Sequence, residues 1–362
     1  MTRCPLRRAA LTSFSVGLML VATCSPLHAQ SEAKGQRIFF SGHSFHVFMP
    51  PILADIAKKA DIKDHLAMGM SSIGGSRVYQ HWAPASTSFP KSDKGLDLPA
   101  ETIPVISTAR FPASGELTIE TSEGNVTVTY TGKTGNSFTG CKGGKGTLTT
   151  FKKVSMATNE ARAALQTGNV QVFTMAPIFL PDDGIENFVK LAVENNPNIR
   201  VFVQEFWLPW DHYDPAFKAP KDKVDHNAPT VESLRKSHGI YFKAMDEHVA
   251  ELNKKYNTSA VRVAPVGQAV VKLREKIIAG EAPGLKEQND LFTDPIGHAK
   301  GPLQALVAYC YYGLIYEKNP VGLPAPAIIT QVKESEKLNR LLQEIAWEAV
   351  TSHPQSGVKA SK

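Results

Sequence analysis

Short apolar segments alternate with helical segments along most of the chain, and this alternation restricts the fold more than any other feature of the sequence. Residues 37–41, 65–70, 170–175, 199–205 and 261–266 each read as a short, apolar strand. Between them, residues 49–59, 158–166, 182–194, 230–256 and 268–279 carry helical spacing, and 302–316 and 329–350 add two more helices. Strands this apolar need cover on both faces. The pattern predicts an α/β fold: three layers, α/β/α, around a mainly parallel sheet. Open sheets of this type place their chemistry at the carboxyl ends of strands.

The rhythm stops between residues 83 and 156, where Thr, Ser, Gly and Lys dominate. Residues 116–120 and 126–130 alternate polar and apolar side chains around a turn containing Gly124, a β-hairpin signature. This stretch is expected to be a small β-rich insertion. Residues 1–29 have the form of a signal peptide: Arg3, Arg7 and Arg8, then an apolar run, then Leu27-His28-Ala29 before a mature start at Gln30. The expected organisation is a leader over 1–29, one domain over 30–355 interrupted by the 83–156 insertion, and a disordered tail over 356–362. The expected location is periplasmic or extracellular, the competing reading being a lipoprotein anchored through Cys24. No later segment is long and apolar enough to span a bilayer.

The formal charge is +6, of which the three leader arginines account for half. The remaining +3 is too weak to argue for a nucleic-acid partner. Outside the leader only Cys141 and Cys310 are left, which is no disulfide framework.

Three places carry the residue types of acyl-transfer chemistry. The first strand runs into Gly42-His43-Ser44, which places Ser44 at a strand's carboxyl end and near a helix N-terminus. Taken alone, this equally suits an ordinary strand-to-helix turn. The loop after the second strand, Ser71 to Arg77, contains Gly74 and Gly75, whose N–H groups can face a bound group unobstructed. Near the end, Asp294-Pro295-Ile296-Gly297-His298 places a carboxylate and an imidazole four residues apart in a turn. In an acyl-transfer triad the imidazole takes the serine proton and the carboxylate fixes its tautomer.

Together, Gly42-His43-Ser44, Ile73-Gly74-Gly75-Ser76 and Asp294…His298 resemble the blocks of the SGNH/GDSL hydrolases, across nearly all of the chain after the leader except the insertion. The resemblance implies an SGNH (flavodoxin-like) sheet, Ser44 as nucleophile, His298 as general base and Asp294 as its orienter. It also implies oxyanion donors on the backbone of Ser44 and of Gly75 or Gly74. The chain departs from the family in having His43 where the family has Asp, and three residues rather than two between acid and base. It also has no Asn in Met175–Asp183, where the family's third block supplies an oxyanion donor.

His43, Arg77 and Trp207 are the expected substrate contacts, Trp207 together with Trp210 as a sugar-stacking wall. His43, His46, His81 and Asp211-His212 lack the tight spacing of a metal site, so no metal or cofactor is expected. The sequence thus points to an exported serine ester hydrolase acting on a small-molecule or glycan ester. The competing reading is a non-catalytic glycan-binding protein on a degenerate SGNH scaffold. Nothing in the sequence sets the oligomeric state.

Overall fold

Five parallel strands form the centre of the protein: β1 (Arg37–Gly42), β2 (Leu66–Ser72), β3 (Val172–Met175), β4 (Arg200–Gln204) and β5 (Val261–Ala264), in the spatial order β5-β4-β3-β1-β2. All residues of β3 are buried, and β1 is buried beyond Arg37. A strand in that state has both faces covered. The computed structural model describes Met1 and residues 34–156, 159–214, 216 and 218–359. The chain divides into Met1–Glu32 and Ala33–Lys362, and the fold is that of the second unit. The expected leader, Met1 aside, lies outside the described residues.

Among the described residues eight α-helices accompany the sheet: α1 (Met49–Lys59), α2 (Val78–Trp82), α3 (Glu160–Gln166), α4 (Asp183–Asn195), α5 (Val231–Lys255), α6 (Val266–Ile278), α7 (Gly301–Tyr316) and α8 (Ser335–Ser352). They pack in two groups. One joins α1, α5, α6, α7 and α8, and the other joins α2, α3 and α4. Helix α7 has no polar face and is buried almost throughout, as an all-round apolar helix must be. No helix among the described residues is long and apolar enough to cross a membrane.

Two expectations are corrected here. The last helix starts at Ser335 rather than at residue 329, because Glu334 takes a left-handed φ of 55° that breaks the helical path. Residues 356–358 are not a disordered tail. Ser356 and Val358 are buried, and the Gln355 carbonyl accepts a hydrogen bond from Val263 N–H at 3.0 Å. Strand β5 is an edge strand, and this pairing meets one of its outward N–H groups.

The interruption forms antiparallel sheets, the largest built from Lys142–Gly143, Gly124–Tyr130, Gly115–Thr121, Lys153–Met156 and Ser86–Ser88. The hairpin register pairs Glu120 with Asn125 and Leu117 with Val128. Alternation sends Leu117, Ile119, Val128 and Tyr130 inward, where they meet Phe111, Phe138, Leu148 and Val154 in a core separate from that of the parallel sheet. Cys141 belongs to this second core and Cys310 to the first; both are free. The Phe138 ring is fully buried, 4.9 Å from Phe111 and 4.7 Å from Tyr130 between centroids. Phe138→Ala is expected to destabilise the protein by about 3–5 kcal/mol, read from urea unfolding.

Candidate active site

The sheet order makes β1 the point where the chain reverses direction: β2 lies on one side and β3 on the other. A crevice opens outside the carboxyl ends of two such strands. Ser44 sits there, two residues beyond Gly42. Helix α1 starts only at Met49, so Ser44 lies ahead of the helix rather than in its first turn. Residues 43–48 instead form tight turns in which the His43 carbonyl accepts from the N–H groups of His46 and Val47 at 2.9 and 3.0 Å.

His46 ties this turn to the sheet. Its Nδ1 lies 2.8 Å from Gln204 Oε1 at the end of β4, and its Nε2 lies 2.8 Å from Thr174 Oγ1 in β3. An amide oxygen only accepts, so Nδ1 carries the proton and Nε2 accepts from the Thr174 hydroxyl. Gln204 Nε2 donates back to the Phe45 carbonyl at 3.2 Å. Burial holds the His46 pKa down at about 4, so the ring is neutral.

Opposite the turn, Ser44 Oγ lies 2.8 Å from His298 Nε2, and His298 Nδ1 lies 2.6 Å from Asp294 Oδ2. The other carboxylate oxygen, Oδ1, accepts from the N–H groups of Gly297 and His298 at 3.1 and 3.3 Å. Gly297 has a φ of 101°, open to glycine, and this lets the loop curl back on itself. The third residue between acid and base is absorbed in that curl, and Thr293 N–H closes it on the His298 carbonyl at 2.8 Å. Burial alone would raise the Asp294 pKa. The bonds from His298 and the two backbone N–H groups outweigh it and hold the carboxyl below its ordinary value.

A cavity of about 130 Å³ adjoins Ser44, lined by His43, Ser44, Phe45, Gly75, Ile178, Pro209, Ile296 and His298. Gly75 has a left-handed φ of 61° and open space on its side-chain side. Among the described residues neither its N–H nor that of Ser44 has an acceptor. Gly74 does not line the cavity. The third-block stretch contributes Ile178, an apolar wall. A second cavity of about 220 Å³ lies between the end of β2 and the insertion, with Ser72, Arg110, Phe111 and Glu160 among its walls.

Other expected contacts fall elsewhere. Trp207 is not a sugar platform. It is fully buried, stacked on Phe45 at 4.7 Å, and its Nε1–H donates to the Gly297 carbonyl at 2.7 Å. Its faces pack inside the protein while its N–H fixes the His298 loop. Arg77 does not line the Ser44 cavity, and its Nη1 reaches the Pro181 carbonyl at 3.5 Å. His81 lies between Ser71 Oγ and Ser76 Oγ at 2.7 and 2.6 Å and braces the glycine loop. Burial, with the charge of Arg110, lowers its pKa to about 4.

Sequence reasoning missed a buried network behind the His298 loop. Arg274 is fully buried in α6 and pairs with both carboxylate oxygens of Asp211. Asp211 Oδ2 lies 2.8 Å from His226 Nδ1, and His226 Nε2 lies 3.2 Å from the Asp294 carbonyl. The one available signal was an arginine on the apolar face of α6.

Glu205, Asp246 and His353 are the group of three potential metal ligands among the described residues. His353 Nδ1 accepts from Gln355 N–H at 3.2 Å. That places the proton on Nε2, which faces Asp246 Oδ1 at 3.1 Å and Glu205 Oε1 at 3.8 Å. Neither His353 Nε2 nor Asp246 Oδ1 has a hydrogen-bond partner among the described residues.

No family model matches the chain, and no curated protein matches it. Solved structures similar to it include a peptidoglycan O-acetylesterase at 8% identity, covering 86% of this chain and 90% of that one with a TM-score of 0.23. A pyruvate kinase of Cryptosporidium parvum, at 9% identity, covers 88% and 71% with a TM-score of 0.20.

Burial alone would raise the Asp211 pKa, but the bonds from His226 and Arg274 outweigh it and hold it at about 2. A depressed carboxylate stabilises the fold above its unfolded pKa, and that contribution is lost as pH falls toward its folded value. For Asp211 this amounts to roughly 2 kcal/mol. The stability difference between the wild type and Asp211→Asn is expected to shrink as pH falls from 5 to 2. Arg274→Met leaves the carboxylate buried without its cation and is expected to lose about 3–5 kcal/mol near neutral pH. Urea unfolding across that range measures both.

Proposed function

We propose that the protein is a serine ester hydrolase of the SGNH type. The observation that carries this reading is the unbroken chain from Ser44 Oγ through His298 to Asp294, at 2.8 and 2.6 Å. A pure binding site has no requirement for a hydroxyl, an imidazole and a carboxylate in that order. The meeting of Ser44 with His298 therefore favours the enzyme over a non-catalytic glycan-binding protein.

In the first step His298 Nε2 takes the Ser44 proton as Oγ bonds to the ester carbonyl carbon. The carbonyl oxygen becomes an oxyanion, which the N–H groups of Ser44 and Gly75 are free to meet. Asp294 stabilises the imidazolium through His298 Nδ1–H. The bond to the alcohol oxygen then breaks, the alcohol leaves with the proton from His298, and the acyl group stays on Ser44. Water, deprotonated by the same imidazole, releases the acid and restores the serine.

The small apolar cavity supports a short acyl group such as acetyl. The larger cavity, reached along the same Ser71–Gly75 loop and bordered by Arg110 and Glu160, supports a polar alcohol such as a sugar. Export rests on residues 1–29 alone, and N-terminal sequencing of the secreted protein should begin at Gln30.

With p-nitrophenyl acetate, Ser44→Ala and His298→Ala should each lower kcat by at least about 10³-fold, and Asp294→Asn by less. Unchanged turnover in Ser44→Ala would remove the nucleophile assignment.

A further inference from the structure

Negative charge forms in a cavity whose walls are mostly apolar. Phe45, Ile178, Pro209 and Ile296 have no polar side-chain atom there, and Ser44 and His298 are bonded to each other. The remaining side chain with chemistry is His43. Its residue is 3% exposed, and its ring meets Phe206 edge-on at 5.4 Å.

His43 Nδ1 accepts from Phe45 N–H at 3.3 Å. A neutral imidazole has one donor and one acceptor nitrogen, so the proton belongs to Nε2. That nitrogen is buried and has no partner among the described residues. Burial, followed by the neighbouring His46, His81 and His298 rings, pushes the His43 pKa down to about 3. The ring is therefore neutral wherever the protein is folded and active. A buried donor left unmet is destabilising, and a ligand that supplies an acceptor removes that penalty.

We propose that His43 donates its Nε2–H to the oxyanion, as a third donor beside the N–H groups of Ser44 and Gly75. The inference rests on the esterase reading. A neutral N–H fixed in a water-poor site is a strong partner for a developing oxyanion and needs no reorganisation when the charge appears. No proton is transferred at this position; the bond forms as the carbonyl becomes tetrahedral and relaxes as it collapses.

The test compares His43→Phe, a ring without a donor, with His43→Gln, whose amide N–H₂ stands close to the place of Nε2. Turnover of p-nitrophenyl acetate is measured together with the affinity of a small boronic acid that bonds to Ser44 Oγ as a tetrahedral adduct. His43→Phe is expected to lower kcat by about 10²–10³-fold and to weaken the boronate comparably, with KM little changed. His43→Gln is expected to recover at least about tenfold of that loss. In the wild type, the nitrogen-15-coupled Nε2 proton of His43 should move downfield when the adduct forms, a readout that needs no variant to fold. A native-melting His43→Phe protein with wild-type kcat, or a Nε2 proton unmoved by the adduct, would overturn the proposal. Activity retained in Ser44→Ala would instead bring down the esterase reading itself. Activity lost in Ser44→Ala but kept in His43→Phe would remove the third donor alone.

Discussion

The two hydrogen bonds of the buried His46 ring connect the turn carrying Ser44 to strands β3 and β4. Without them the turn would be held by its own backbone bonds and the packing of Phe45. With them, a neutral imidazole two residues from the serine is locked at both nitrogens, and Gln204 returns a bond to the Phe45 carbonyl. Each partner is buried and satisfied, the condition under which a polar network rigidifies a core instead of weakening it. A serine positioned this way keeps one orientation toward His298.

His298 arrives from the far end of the chain and is braced separately. Trp207 holds the Gly297 carbonyl and stacks on Phe45, so one indole touches both the serine turn and the His298 loop. Behind the loop, Arg274, Asp211 and His226 lead to the Asp294 carbonyl. Trp210 and Asp211 sit at φ values of 54° and 56°, which non-glycine residues adopt at some cost. The buried Asp211–Arg274 pair and the bond from Trp210 N–H to the Ile296 carbonyl at 3.0 Å hold them there.

The histidines around Ser44 divide their roles by environment. His43, His46 and His81 are buried, and desolvation keeps all three neutral. His298 is partly exposed, with Nδ1 2.6 Å from Asp294 Oδ2 and Nε2 2.8 Å from Ser44 Oγ.

Much of this architecture was legible in the sequence, since burial on both faces of a strand leaves an uninterrupted apolar run and a helix leaves its own spacing. Strands β1, β3, β4 and β5 stood out for that reason, the insertion's hairpin through its polar/apolar alternation, and Ser44, Asp294 and His298 only through the resemblance of their motifs to the SGNH/GDSL blocks. Local pattern was silent where the outcome depended on neighbours distant in the chain. Trp207 looked like an exposed platform because a strand's end says nothing about what covers it. Val358 looked like tail because a single apolar residue has no period. Ser44 and His298 are 254 positions apart, and their 2.8 Å contact depends on strand order and on which loops fold over the same crevice. The sequence by itself determined the elements and the chemical groups at their ends. Tertiary structure alone decided which groups meet, because periodicity encodes each segment's own burial and contains no term for its partner.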